Sequence, residues 1–255
     1  MGSELIQSVD RALELLIYLQ LQGEETGITK IASDLNVYKS TVHRTLATLE
    51  ARGFVQKNPA TEKYWLGTRL FTLGKAVENS MGLSAIIQPF ARKLHELCGE
   101  TVNVSILDYT PGELYHTIVI VKEKSPNQVL IVSPKVGSIS ECHYSSVGKC
   151  LLAFAPGVDL SVYKNRELTK YTKSTITSFD ELKAELDLVK EKGYAIDCEE
   201  KEVGLTCFGV PILDRKGNAV AAISLSGPTS RMMDGDFEGK INTIRRVAAE
   251  ISRSL

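Results

Sequence analysis

Residues 27–52 read GITKIASDLNVYKSTVHRTLATLEAR, and their spacing decides the first third of the fold. Ile31 and Leu35 stand four apart and share one face of a short helix. Asn36-Val37 interrupts it, and asparagine tolerates the left-handed backbone that a tight turn between helices needs. Val42, Leu46 and Leu49 then form the apolar stripe of a second helix. Its opposite face and first turn carry Tyr38, Lys39, Ser40, Thr41, His43 and Arg44. These are cationic and hydrogen-bonding groups, and a helix so equipped behind a short supporting helix makes a helix-turn-helix. Its N-terminal residues reach base edges, while amides and hydroxyls hold phosphates. Two short strands follow, Gly53–Lys57 and Lys63–Leu66, around the turn Asn58-Pro59-Ala60-Thr61-Glu62. With Lys57 and Lys63 on its two arms, this hairpin reads as a wing beside the DNA backbone.

Charge gives no general sign of a nucleic-acid binder. The 255 residues carry 30 Lys and Arg against 31 Asp and Glu, a net charge of −1. The basic charge is local: Lys39, Arg44 and Arg52 oppose only Glu50 between positions 38 and 52. A narrow contact face follows, with a modest salt dependence per subunit and a need for two copies. The composition, 43% hydrophobic and 24% charged, is that of a folded globular chain rather than a disordered one. The five cysteines show no CxxC spacing, which fits reduced thiols and a cytoplasmic location. No run is long enough to span a membrane, and the N-terminus lacks the order of a signal peptide.

Ahead of the helix-turn-helix, Ser8–Leu21 has helical spacing. Ser8 is the candidate N-cap, and Val9, Leu13, Leu16 and Ile17 form the stripe expected to underlie the DNA module. After Gly67 come a linker helix over Thr68–Glu78 and, past Met81-Gly82, a helix over Ser84–Cys98. The period then changes. Val102, Val104 and Ile106 alternate, and Leu114–Val121 and Val129–Val132 are β-branched runs bounded by Pro-Gly or Pro-Asn turns. A helix follows His143 and stops at Pro156-Gly157, and Ser178 with Glu181 forms a capping box before another helix. Strands Tyr194–Cys198, Leu205–Leu213 and Ala219–Ser226 come next, the last two joined by a hairpin over Asp214–Asn218. A helix over Asp236–Ser252 closes the chain. The expected organisation is a winged helix-turn-helix at 1–67, a linker helix at 68–82 and an α+β domain at 83–255 with a mostly antiparallel sheet.

Four features in the second half describe a small-molecule pocket. Ser145, Ser146 and Gly148 head a helix whose amides suit an anion. Asp197 and Glu200 end one strand, and Cys207 lies on the next. Ser224 and Ser226, two apart, share a face of a third. Such groups fit a carboxylate or polar metabolite. Other readings of the same residues stay open. The serines can be an ordinary N-cap and a solvated strand face, and Cys207 a small buried hydrophobe. Cys207 with His143 could instead serve a cysteine-dependent enzyme. The donors Cys142, His143, Asp197, Cys198 and Cys207 lack zinc-ligand spacing. The winged helix could also serve protein contacts alone.

Over nearly its whole length the chain resembles the IclR family of bacterial transcription regulators. The resemblance rests on Ser8-Val9-Asp10-Arg11-Ala12-Leu13, on Lys39-Ser40-Thr41-Val42-His43-Arg44 running into Leu46–Gly53, and on a signature through Gly193, Asp197, Glu200, Cys207, Gly209, Ile212 and Asp214. Phe208 replaces a usual smaller aliphatic, and Leu213 a usual aromatic or His. The resemblance implies a GAF-like effector domain and a homodimer or dimer of dimers on a partly palindromic operator of a catabolic operon. It also implies a small organic or sugar acid as effector, with Ser145, Ser146, Asp197, Leu205, Cys207, Ser224 and Ser226 as contacts. The two serines at 145 and 146 stand where relatives have smaller residues, which suggests a more hydroxylated ligand. No catalytic residue, resident cofactor or metal is implied.

Overall fold

The computed structural model describes residues 5–110, 113–124 and 134–255. Its contacts divide the chain into two compact units, Met1–Gly82 and Leu83–Leu255. The expected run Val129–Val132 and both expected Pro-Gly and Pro-Asn turns at 111–112 and 126–127 lie outside the described residues.

In the first unit, α1 (Gln7–Gln22), α2 (Ile28–Asp34) and α3 (Lys39–Ala51) pack around Leu15, Leu19, Ile31, Val42 and Leu46. Asn36 takes φ 50°, the left-handed turn between α2 and α3 that its side chain tolerates. The wing is the antiparallel pair β1 (Val55–Lys57) and β2 (Tyr64–Leu66). A bridge between Thr26 and Tyr64 ties it to the body of the unit. Asn58 in the wing turn donates to both oxygens of Glu25, at 2.8 and 2.9 Å. The last element of the unit, α4 (Thr68–Met81), buries none of its residues.

Two expectations about α1 are corrected. The helix starts at Gln7 with Ile6 at the N-cap and no side-chain cap, so Ser8 lies inside the first turn. The expected core stripe also faces outward: Val9, Leu13 and Ile17 are 52%, 54% and 56% exposed, while Leu15 and Leu19 are 2% and 0%. Only Leu16 of the expected set packs against the core. The helix is apolar on two faces, and spacing alone does not say which of them meets the neighbouring helices.

In the second unit α5 (Leu83–Cys98) leads into β3 (Thr101–Asp108), β4 (His116–Glu123) and β5 (Ile139–Glu141). Next come α6 (Ser146–Phe154), α7 (Phe179–Lys192) and the strands β6 (Ala195–Cys198), β7 (Leu205–Leu213) and β8 (Ala219–Pro228). The short α8 (Thr229–Met232) and α9 (Phe237–Ser254) end the chain. Among the described residues the strands form one antiparallel sheet of order β5-β4-β3-β8-β7-β6. The capping box of Ser178 and Glu181 is formed at the start of α7.

Strand alternation gives the sheet two unlike faces. Val102 and Val104, Phe208, Val210 and Ile212, and Ile223 and Leu225 turn toward α5 and α9, where Ile87, Leu94, Ile244 and Ile251 complete an apolar core. The residues between them face α6 and α7. Near one end that face is apolar, with Ala222 among Leu151, Leu182 and Leu186. Near the other it is polar and open.

Candidate effector site and nucleic-acid interface

The register builds the polar floor. Asp197 pairs with Cys207, Cys207 with Ser226, and Ser226 with Thr101, a row across four strands. One step along, Gly209 pairs with Ser224 and Ser224 with Asn103. These positions and the start of α6 enclose a cavity of about 460 Å³. Its lining includes Thr101, Asn103 and Ser105 from β3, Cys207 from β7, Ser224 and Ser226 from β8, and Tyr144, Ser145 and Ser146 above them.

Two glycines let α6 come this close. A Cβ on Gly209 would lie 2.6 Å from the Ser146 carbonyl carbon and oxygen, and one on Gly148 would lie 2.5 Å from backbone atoms of Cys142. Ser145 is the N-cap and accepts from the Gly148 amide at 3.4 Å. The first helical amides, of Ser146 and Val147, have no partner within the helix by its geometry, so the positive end of α6 is turned to the cavity edge.

Of the residues singled out from the sequence, Ser145, Ser146, Asp197, Leu205, Cys207, Ser224 and Ser226 meet on this one cavity. Gly148 does not line it; it holds the helix against Cys142 instead. Ser224 and Ser226 are buried, 4% and 7% exposed, so they do not face solvent. Thr101, Asn103 and Ser105 escaped sequence reasoning, which followed the valines of TVNVS and ignored the polar residues between them. That second alternation was the available signal. Lys135, Thr117, Ser140, Tyr144 and Lys201 also line the cavity and belong to separate segments that only folding brings together.

The charges on this face form a chain. Lys149, wholly buried, donates to Glu200 Oε1 at 2.5 Å, to the Ile196 carbonyl at 2.9 Å and to Glu185 Oε1 at 3.2 Å. The Glu200 amide in turn donates to Asp197 Oδ1 at 2.9 Å. Burial pushes the Asp197 carboxyl up to about 6 against the pull of the Glu200 amide and Lys149, and pushes Glu200 to about 7 against Lys149. The Cys207 thiol, half-buried beside Asp197 and Ser226, is held well above its ordinary range, first by desolvation and then by the Asp197 charge. His143 lies outside the cavity lining, with Nε2 3.0 Å from the Thr169 carbonyl and Nδ1 3.2 Å from Glu141. Lys201 rests over the ring of Tyr171 at 3.3 Å and of Tyr144 at 4.8 Å.

In the first unit the exposed face of α3 carries Lys39, Ser40, His43 and Arg44, with Tyr38 as its N-cap and Thr41 half-buried. No side chain caps the helix, which leaves its first amides for an outside acceptor. On the wing Lys63 is exposed, whereas Lys57 pairs with Glu62.

Two family models match. Residues 8–59 fit the IclR helix-turn-helix domain, and residues 75–253 fit the bacterial transcriptional regulator IclR C-terminal domain. The chain belongs to the IclR family of transcription regulators. It is 34% identical over 248 residues to the regulator BhcR of Paracoccus denitrificans, covering 97% of this chain and 86% of that protein. With the transcriptional repressor IclR of Escherichia coli it shares 32% over 230 residues, 90% of this chain and 82% of the other. The crystal structure of the Thermotoga maritima IclR matches with a TM-score of 0.72 at 29% identity, over 98% of this chain and 99% of that one. An IclR homolog from Microbacterium hydrocarbonoxydans, complexed with 4-hydroxybenzoate, shares the fold at 21% identity and a TM-score of 0.80, covering 97% and 100%. The IclR architecture thus accounts for both units: a winged helix-turn-helix followed by an α+β domain with an antiparallel sheet.

Proposed function

We propose that this IclR-family regulator represses a catabolic operon and is controlled by a small organic or sugar acid held in the cavity beneath α6. The observation that carries the reading is the hydroxyl-lined floor of β3 and β8 facing a helix N-terminus. A carboxylate suits the amides of Ser146 and Val147, while Ser224, Ser226, Thr101 and Asn103 suit hydroxyl or oxo groups beyond it. Ser145, Asp197, Leu205 and Cys207 complete the contact set. The Microbacterium homolog that shares this fold is complexed with a small acid, 4-hydroxybenzoate. Several relatives are named as repressors, among them AllR of Escherichia coli.

The operator is partly palindromic and is bound by a dimer or a dimer of dimers. Each recognition helix enters one major-groove half-site, with Lys39 and Arg44 on bases or phosphates and Tyr38, Ser40, Thr41 and His43 around them. Lys63 adds a sequence-independent contact from the wing, and Lys57 adds one when it leaves Glu62. Residues 68–82 link the DNA module to the effector domain and transmit the shift. Effector and operator are coupled only as far as the effector's affinities for the two arrangements differ.

The cysteine-enzyme alternative is disfavoured by the Cys207 environment. A thiol held protonated by burial beside a carboxylate is a poor nucleophile. The test is a titration of DNA from upstream of the coding region at two salt concentrations, with and without a pool of organic and sugar acids. Tight, sequence-preferring binding that the pool weakens is expected, and Arg44→Ala should cost about 1–3 kcal/mol of it. Binding indifferent to competitor DNA, or a Cys207-dependent turnover of a pool member, would overturn the proposal.

A further inference from the structure

The cavity reaches well beyond the α6 end. Its lining runs from Asp197 on β6 to Ser140 on β5, the two edges of the sheet. From β7, beneath the helix N-terminus, to β4 is three strand spacings, about 14 Å. A two- or three-carbon acid held at α6 would leave most of that floor unused. The middle is lined by groups that want hydroxyl partners. Asn103 is 6% exposed and lines the cavity. Thr101, Ser105, Thr117, Ser224 and Ser226 surround it.

The far end is cationic. Pro134 and Lys135 line the cavity there, and Lys122 donates to the Pro134 carbonyl at 2.6 Å. Lys124 stands nearby. Burial holds the Lys122 ammonium below its ordinary range, and the charges of Lys124 and Lys135 push it in the same direction. Glu123 is engaged by Arg92 at 3.7 Å. Among the described residues neither Lys124 nor Lys135 forms an ion pair, and the intervening stretch 125–133, SPNQVLIVS, contains no acidic residue. At the α6 end the positive groups are the helix N-terminus and Lys201, with Asp197 and Glu202 also on the lining. The cavity therefore has a positive group at each end and hydrogen-bonding groups between them.

We infer that the effector is a polyhydroxylated acid bearing a second anionic group, carboxylate or phosphate ester, at its far end, and that Lys135 receives that group. This rests on reading the cavity as the effector site. A chain of five or six hydroxylated carbons fits between the ends, with the flexible Lys135 stem closing the remaining distance. The first acid group sits at the Ser146 and Val147 amides, and the mid-chain hydroxyls meet the Asn103, Ser224 and Ser226 side chains.

The test is calorimetric titration of the full-length protein with six-carbon ligands of matched stereochemistry. The probes are the hexitol, the hexonate with one acid, the hexarate with two carboxylates and the 6-phosphohexonate, each in several epimeric series. Within the series that binds, a two-ended ligand should bind at least about tenfold more tightly than its hexonate, the scale of one charge-assisted hydrogen bond. Whether hexarate or 6-phosphohexonate gains more identifies the second group. In Lys135→Met the ratio of two-ended to one-ended affinity should fall to about one, and Lys135→Arg should restore it. Lys135 is exposed, so neither variant disturbs the core. Equal binding of hexonate and both two-ended ligands would overturn the inference while leaving the cavity as an acid site. So would a Lys135→Met loss shared equally by all ligands. Binding of none of the acids would remove the effector-site reading together with the inference.

Discussion

At the scale of single residues, Gly209 shows how the cavity depends on close approach. Strand β7 places every second residue toward α6, and at position 209 the helix backbone is already in contact. In Gly209→Ala the new methyl meets the Ser146 carbonyl at 2.6 Å and Ser146 Cβ at 2.9 Å, so α6 must lift from the sheet. Overpacking of this kind costs about 1–3 kcal/mol. Urea denaturation should show that loss, and calorimetry should show weakened effector binding because the helix amides move with α6. Unchanged stability with unchanged effector affinity would mean that the helix tolerates the shift. The sequence contained this glycine, but nothing in its neighbours revealed that a helix lay over it.

At the scale of elements, α6 and β6 are joined through charge rather than apolar packing alone. Lys149 on α6 reaches Glu200 and the Ile196 carbonyl, and Glu200 reaches Asp197 through its amide. The raised carboxyl of Asp197 sets a pH dependence with a definite sign. With a folded value of about 6 above the unfolded value, the native state binds more protons between roughly pH 4 and 6. Stability from this group therefore falls as pH rises through that window, and the full cost is present above about pH 6. Wild type and Asp197→Asn should be compared by urea denaturation at pH 5 and pH 7.5. The difference is the informative quantity, because His143, held low by burial, pulls the other way below its ordinary value. The variant should gain on wild type as pH rises; an advantage that shrinks with rising pH would contradict the sign.

At the scale of the whole molecule, the misplaced face of α1 becomes informative. Val9, Leu13, Ile17 and Leu21 form an exposed apolar stripe along one side of that helix, and Phe71, Leu73 and Val77 stand exposed on α4. A second copy of the chain is the partner proposed above, and an isologous contact would bury such a stripe against itself. Leu13→Glu puts a charge into it. Sedimentation should then find a monomer at concentrations where the wild type is a dimer. Operator affinity should fall by about 100-fold or more, as expected when two half-sites no longer bind together. An unchanged sedimentation coefficient would show that assembly uses another surface.

The sequence by itself determined the elements whose cause is local. The turn at Asn36, the stripe of Val42 and Leu46, the capping box at Ser178 and the hairpin over Asp214–Asn218 each depend on residues within a few positions of one another. It also named Ser145, Ser146, Asp197, Leu205, Cys207, Ser224 and Ser226, a third of the residues that line the cavity, because polar groups at a helix start and at every second strand position show in local spacing. Tertiary structure alone decided which face of α1 is core. It alone joined Thr101, Asn103 and Ser105 of β3 with Lys135 and Tyr144, and set Gly148 to packing rather than contact. Those outcomes depend on strand order, register and the approach of one helix to a sheet, in which partners lie tens of residues apart and local spacing says nothing of who meets whom.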